Sequence, residues 1–134
     1  MRRFVLLACL LALSACATKR PWTAEQRAQF ASWTSEVSQK IRSKSYYPRD
    51  PAVASPVAAG SVTVRFTVSE SGAIYTPQIT RTSHEPLFDT AALTIVLSAA
   101  PFPPPPRFLI EQDGPPSLSV PINFVPPGAP RPHH

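Results

Sequence analysis

The order of apolar and polar residues along the chain predicts two helices and three strands. Residues 23–43 carry large apolar side chains at steps of three and four, which places them on one face of an amphipathic helix. These apolar residues are Phe30, Trp33, Val37 and Ile41. Thr23 and Gln26 have the spacing of a capping box, in which each side chain satisfies a backbone N–H at the helix start. We expect the apolar face to pack on a core, with attachment to a membrane surface as the open alternative.

The next two segments predict a β-hairpin. Residues 61–69 alternate strictly between apolar and polar side chains, which is the period of a strand with one buried face. The apolar members are Val62, Val64, Phe66 and Val68. Gly72 suits the positive φ angle that tight turns often need, and residues 73–82 are expected to return antiparallel. Pro77 lies within this second strand, so we expect a bulge or a local edge there.

A second helix and a third strand are predicted further along the chain. Pro86 fits the first turn of a helix over residues 86–99, because that turn leaves its N–H groups unbonded anyway. Residues 117–125 alternate again in the manner of a strand. The apolar members are Leu118, Val120, Ile122 and Phe124. Pro121 lacks an N–H, which predicts an edge position for this strand, and residues 126–134 are expected to form a flexible tail.

Residues 101–106 read Pro-Phe-Pro-Pro-Pro-Pro and separate the second helix from the third strand. Neither side of this run has enough helices and strands to form a core alone, so we interpret the run as a stiff crossover inside one domain. Phe102 is expected to fold back as an anchor, and a turn at residues 112–115 precedes the third strand. The alternative is a ligand for a proline-reading module. The expected fold is α+β, a three-stranded antiparallel sheet packed against two helices, over residues 23–125.

The first residues have the three parts of a secretory signal. Arg2 and Arg3 supply a positive start, an apolar run follows, and small residues precede a cysteine. An apolar run of about ten residues is too short to span a bilayer, which takes roughly 20. The segment ends in a pattern that resembles the lipobox of bacterial lipoproteins. Its residues are Leu13, Ser14, Ala15 and Cys16. Residues 1–15 are therefore predicted to be a lipoprotein signal peptide, the alternative being an ordinary signal with an incidental cysteine.

Cleavage before Cys16 would change the charge and the cysteine content. Loss of Arg2 and Arg3 lowers the basic residues from 13 to 11 against 8 acidic ones, without the clusters that nucleic-acid binding needs. Cys16 would then be the sole cysteine, which excludes an intrachain disulfide. The lipobox resemblance implies a diacylglyceryl thioether on Cys16 and an acylated amine, and several acyl chains anchor stably. Residues 16–22 would form a tether facing the periplasm. The lipobox resemblance also implies the outer membrane over the inner one, because Ala17 rather than Asp follows the cysteine.

Candidate catalytic and metal-binding residues are few. Ser83, His84 and Glu85 are residue types found in catalytic sites, but neighbours in sequence do not face one another in triad geometry. His133 and His134 lie in the expected tail without matching ligands for a metal. The sequence therefore predicts a protein that is not an enzyme and that has no small-molecule substrate, no metal site and no cofactor beyond the lipid.

An ordered set of short motifs resembles the TonB/TolA C-terminal domain family. The matching stretches are residues 47–48, 60–68, 72–74, 82–83, 87–93, 100–104 and 120–124. The resemblance implies a three-stranded antiparallel sheet with helices on one face. It also implies binding by β-augmentation, in which an extended segment of a partner pairs with the last strand. The residues implied in that strand are Ser119, Val120, Ile122, Asn123 and Phe124.

The chain departs from the family pattern in two places. Pro51 and Pro56 interrupt the stretch where family members carry a helix, so residues 23–43 are expected to cover the sheet instead. Energy transducers of the family hold the inner membrane with a transmembrane helix and cross the periplasm on a long spacer. Here a tether of about six residues reaches roughly 20 Å. We therefore expect a lipid-anchored binding module rather than a transducer.

Three kinds of envelope partner fit such a module: a TonB-dependent receptor, a Tol or Ton component, or a cell-wall protein. The alternative hypothesis is a TonB-like energy transducer, or an accessory, in TonB-dependent transmembrane transport across the outer membrane. Recovery of motor subunits with the protein would favour the transducer, whereas recovery of receptors or cell-wall proteins would favour the binding module.

Overall fold

The computed structural model describes residues 19–50 and 59–128. In chain order the elements are α1 (Ala24–Lys44), β1 (Gly60–Val68), β2 (Ile74–Arg81), α2 (Pro86–Ala99), α3 (Arg107–Asp113) and β3 (Ser117–Phe124). The strands form one antiparallel sheet in the order β2-β1-β3, which confirms the expected α+β fold. Pro51, Pro56 and most of the expected tail at 126–134 lie outside the described residues.

The predicted capping box sets the start of α1. Thr23 Oγ1 accepts a hydrogen bond from the Gln26 backbone N–H at 3.1 Å, and Gln26 Oε1 accepts one from the Thr23 N–H at 2.9 Å. The helix buries Trp33, Val37 and Ile41, three members of its predicted apolar face. These side chains belong to the same core as α2, beside which α1 lies. The expectation that α1 packs on a core is therefore confirmed.

The core lies between one face of the sheet and the helices. The four apolar residues predicted in β1 are each at most 1% exposed. Helix α2 lies across β1 and β2 and contributes the largest set of buried helical residues. These are Phe88, Ala91, Ala92, Ile95, Val96 and Ala99. The opposite face of the sheet carries the polar residues of β1, which are exposed or half-buried.

Strand β2 is irregular near Pro77, as expected. The register between β1 and β2 shifts twice, and one shift lies between Arg65 and Thr67 on β1. Thr76, directly before Pro77, has a φ angle of 47°, which a β-branched residue adopts rarely. The irregularity leaves β2 less regularly paired than β3, whose register with β1 is continuous.

The proline run is part of the domain. Phe102 is 3% exposed and stacks on Phe66 with ring centroids 5.4 Å apart. Its backbone N–H donates to the Gly72 carbonyl at 2.9 Å. Trp33 Nε1 donates to the Pro103 carbonyl at 2.8 Å, which attaches the run to α1 as well. The expectation that Phe102 anchors an internal crossover is therefore confirmed, and it is favoured over a free proline ligand.

The sequence interpretation missed α3, so the predicted two helices become three. Helix α3 follows the proline run directly, with Pro106 as its N-cap residue and no side-chain cap. It spans 7 residues and buries one of them, Leu109. Such a short segment gives too few repeats for helical periodicity to be recognised. The turn predicted at residues 112–115 is instead the end of this helix, with Gly114 at a φ angle of 76°.

Candidate functional site

Strand β3 forms one edge of the sheet, and no strand of the described residues pairs with its outer side. The phase of its hydrogen bonds follows from one bond at its start, where the Val68 N–H donates to the Pro116 carbonyl at 2.9 Å. Hydrogen-bonded and non-hydrogen-bonded pairs alternate along an antiparallel ladder. The backbone N–H and C=O groups of the even-numbered residues of β3 therefore form hydrogen bonds with β1. The odd-numbered residues direct their backbone N–H and C=O groups to the free edge.

The structure places the five residues of the predicted partner-binding strand in two groups. Ser119 and Asn123 are exposed, and their backbone polar groups face the free edge. Ile122 and Phe124 are buried in the core and Val120 is half-buried. The backbone N–H and C=O groups of these three residues form hydrogen bonds with β1. Partner binding by this strand stays a prediction. Of the five residues, Ser119 and Asn123 have the backbone groups that could form hydrogen bonds with a partner strand.

Pro121 faces the free edge rather than β1. It lies opposite Thr63 in a non-hydrogen-bonded pair, where the ladder requires no N–H from either residue. The β1–β3 ladder therefore loses no bond to this proline. The missing N–H falls on the outer side of the sheet, where Pro121 offers a carbonyl acceptor without a donor. Ser119 and Asn123, two residues to either side, offer both groups.

A groove of about 730 Å³ runs between α1 and β3. One wall is made by residues 120–128 of β3 and the segment after it. The other wall is made by the C-terminal half of α1 and the two tyrosines that follow it. Its residues are Ser38, Ile41, Arg42, Ser45, Tyr46 and Tyr47. Tyr46 is 49% exposed and Val125 is 37% exposed, so large apolar side chains of this β3 groove are open to solvent.

The charge in the β3 groove is positive. Arg42 is the one charged residue among those that line it, and within the described part of the chain it forms no ion pair. Ser38 and Ser45 add hydroxyl groups to the same wall. The groove therefore offers apolar and polar surface in similar amounts together with the exposed cation of Arg42, which suits an extended peptide with apolar and acidic side chains.

The β3 groove was missed by sequence reasoning, since its walls are about 80 residues apart in the chain and meet only in the folded protein. One local signal was present. Tyr46 and Tyr47 follow α1 outside its apolar period. Tyr47 packs against Phe88 with ring centroids 5.7 Å apart, whereas Tyr46 extends into solvent at the groove.

Ser83, His84 and Glu85, which are residue types found in catalytic sites, lie in the loop between β2 and α2, where hydrogen bonds to Asp89 stabilise the loop. The Ser83 hydroxyl donates to Asp89 Oδ1 at 2.7 Å, the Ser83 N–H donates to the same oxygen at 3.0 Å, and the Thr82 hydroxyl donates to Oδ2. Burial acts to raise the pKa of Asp89, but these hydrogen bonds and the nearby His84 outweigh it and hold the pKa below its ordinary value. Among the described residues, no group of three or more His, Cys, Asp or Glu residues is arranged to hold a metal ion.

The predicted lipidation site lies outside the described residues, and so lipid attachment stays a prediction. Its residues are Leu13, Ser14, Ala15 and Cys16. In the part of the chain that the structure describes, no helix is both long and apolar enough to cross a membrane. Helix α1 begins at Ala24, so a lipid on Cys16 would lie close to the domain along the chain.

Comparison with known proteins points to one family. The family model described as Gram-negative bacterial TonB protein C-terminal matches residues 43–126. An NMR solution structure of the Helicobacter pylori TonB C-terminal domain is 21% identical, with a TM-score of 0.56, and the match covers 83% of this chain and 100% of that one. A shorter NMR structure of the same domain is 26% identical over 69% of this chain and 91% of that one, with a TM-score of 0.48. No curated protein matches the chain. The longer structure supports the fold.

Proposed function

Because this chain belongs to the TonB C-terminal domain family of Gram-negative bacteria, we propose that it is a lipid-anchored binding module of the cell envelope. Its β3 edge pairs with an extended segment of a protein partner, and the module performs no catalysis. The observation that carries this proposal is the free β3 edge beside a groove that offers both apolar and polar surface. An added strand gains affinity from main-chain hydrogen bonds and specificity from pockets for alternate side chains.

The β3 groove supplies those pockets. Partner residues that lie opposite Ile122 and Phe124 direct their side chains to the helix side of the sheet, where the groove opens. Partner residues opposite Ser119 and Asn123 direct theirs to the polar face. The paired segment is therefore one with apolar side chains at alternate positions, and Arg42 favours an acidic residue near the end of α1.

Lipid attachment at Cys16 explains how such a module stays at the envelope. The proposal rests on the positive start, the apolar run and the lipobox-like ending of the first residues. A tether over residues 16–22 would keep the domain within a few nanometres of the bilayer. We propose the periplasmic side of the outer membrane, because Ala17 stands where lipoproteins kept at the inner membrane tend to have Asp.

The pairing is tested by Asn123→Pro in a co-purification of envelope partners from membranes. Because the Asn123 N–H faces outward, the substitution removes one donor from the free edge and leaves the β1–β3 ladder complete. We expect the captured partner to be lost while the circular dichroism spectrum is unchanged.

Asn123→Ala is the matched control for this experiment. It removes the side chain but keeps the backbone N–H, so we expect it to retain the partner. Unchanged capture by a folded Asn123→Pro protein would rule out pairing along β3. Loss of capture in both variants would show that the Asn123 side chain is required, and it would remove Asn123→Pro as support for main-chain pairing.

The anchor is tested at Cys16. Mass spectrometry of the processed protein should find acyl chains on this residue, and Cys16→Ser should release the protein from membranes into the soluble fraction. A processed protein that begins at another residue, or a Cys16→Ser protein that remains bound to the membrane, would contradict the anchor.

A TonB-like energy transducer, or an accessory in TonB-dependent transport across the outer membrane, is the second candidate function. Family membership favours it, whereas the short tether argues against a link between an inner-membrane motor and an outer-membrane receptor. A pull-down with the lipid-anchored protein separates the two. Recovery of motor subunits supports transduction, and recovery of receptors, Tol components or cell-wall proteins without a motor supports the binding module.

A further inference from the structure

We propose that Pro121 makes the β3 edge selective for a foreign strand over the β3 strand of a second copy of this chain. The inference rests on the proposed strand pairing and specifies which kind of partner the edge accepts. Its basis is the orientation of Pro121, whose nitrogen faces the free edge near the middle of an otherwise regular strand.

A foreign strand loses one hydrogen bond at Pro121. In an antiparallel pairing, the residue opposite Pro121 still donates its N–H to the Pro121 carbonyl, but its own carbonyl finds no donor. Ser119 and Asn123 each exchange two bonds with the same strand. Pairing with a different chain therefore keeps most of the ladder.

A second copy of β3 loses two bonds, because a symmetric pairing uses the same proline twice. Where Pro121 lies opposite Pro121, neither residue has an N–H and both bonds of that pair are absent. Where Pro121 lies opposite Ser119 or Asn123, the twofold axis produces two such pairs, and each pair lacks the one hydrogen bond that Pro121 cannot donate. Other registers place Pro121 beyond the end of the partner's strand, and in these registers only a few residues at the strand ends are paired.

This arrangement limits edge-to-edge association without disturbing the sheet itself. Proline on an edge strand is a known means of preventing such association, and here it keeps the edge usable for strands from other proteins. A net hydrogen bond changes an equilibrium constant by roughly two- to tenfold. Restoring both donors in a symmetric pair should therefore strengthen self-association by about tenfold.

The test compares Pro121→Val with Ser119→Val in the full-length protein in detergent. Both variants add the same β-branched side chain to the exposed face of β3, but Pro121→Val alone adds an N–H to the edge. Sedimentation velocity over a concentration series should show a dimer dissociation constant about tenfold lower for Pro121→Val than for Ser119→Val. Equal association of the two variants would overturn the inference, as would a wild-type protein that dimerises as tightly as Pro121→Val.

A second measurement uses the wild-type protein and avoids any question of folding. Two synthetic peptides span residues 117–125, one with the native sequence and one with valine in place of Pro121. The valine peptide restores one donor and should bind roughly threefold tighter by fluorescence anisotropy. Equal binding of the two peptides would argue against the role of Pro121.

Failure here is distinguishable from failure of the proposed function. If Pro121→Val has no effect on association while Asn123→Pro still abolishes partner capture, the role of Pro121 is removed and strand pairing stands. If Asn123→Pro leaves partner capture unchanged, strand pairing itself is removed.

Discussion

Gly72, in the turn between β1 and β2, contacts the backbone of Phe102 in the proline crossover. A single methyl group added at Gly72 should separate the turn from the crossover. Gly72 has a φ angle of 87°, and a Cβ atom built on it would lie 1.9 Å from the Phe102 carbonyl oxygen. The Gly72 carbonyl also accepts the 2.9 Å hydrogen bond from the Phe102 N–H. Because the clash is with backbone, Gly72→Ala should move the crossover away and weaken the stack of Phe102 on Phe66.

The expected loss has three parts. A non-glycine residue in the left-handed region costs about 1–2 kcal/mol. The hydrogen bond to Phe102 contributes about 1 kcal/mol, and the ring pair contributes about 1 kcal/mol beyond its buried area. Gly72→Ala should therefore lower the free energy of unfolding by about 3–4 kcal/mol, a large share of the roughly 5–15 kcal/mol of a typical domain.

Gly128→Ala is the matched control, because Gly128 has a positive φ angle of 90°, close to the 87° of Gly72, but a Cβ there meets nothing within 4 Å. Urea unfolding followed by the fluorescence of Trp22 and Trp33 measures both variants. We expect Gly72→Ala to be less stable than Gly128→Ala by about 2 kcal/mol, the sum of the hydrogen-bond and ring contributions. Equal losses in the two variants would refute this account of the turn.

Three further substitutions test other contacts. Trp33→Phe removes the donor to the Pro103 carbonyl and should lower the free energy of unfolding in urea by about 1–2 kcal/mol, whereas unchanged stability would contradict this role. Gly60→Ala places a Cβ 2.7 Å from a ring carbon of Phe88 and should destabilise by about 1–3 kcal/mol; an unchanged Tm would show that the ring yields freely. The lowered pKa of Asp89 means that its carboxylate stabilises the fold above its ordinary pKa of 3.8, and that this contribution is lost as pH falls through the lower folded pKa. Urea midpoints at pH 7 and pH 3 should therefore differ less for Asp89→Asn than for the wild type, and an equal difference would exclude Asp89 as a source of acid sensitivity.

The elements with long, regular patterns were predictable from sequence. Helix α2 spans Pro86–Ala99 as expected; β1 is shifted by one residue at both ends from the predicted strand, and β3 is one residue shorter at its end. Their patterns are reliable because burial of one face imposes the same period on many residues. Helix α3 was not predictable, since its 7 residues bury a single side chain.

The candidate site was predictable only in part. Alternation identified the strand over residues 117–125, and Pro121 indicated that it lies at an edge. The sequence did not show which side of the strand the proline nitrogen faces, because this depends on the register with β1. It also did not show the β3 groove, because one wall comes from α1.

The sequence by itself determined the local structure. The period of the apolar residues set which segments form helix or strand and which side chains are buried in the core, and Thr23 set the start of α1. These are properties of period and of neighbouring residues, and they do not depend on what each element packs against. Tertiary structure alone decided that Gly72 and Phe102 touch, that α1 and β3 enclose a groove, and that the nitrogen of Pro121 faces outward. Each of these features joins residues that are distant along the chain, so it exists only once the strands have paired and the helices have packed.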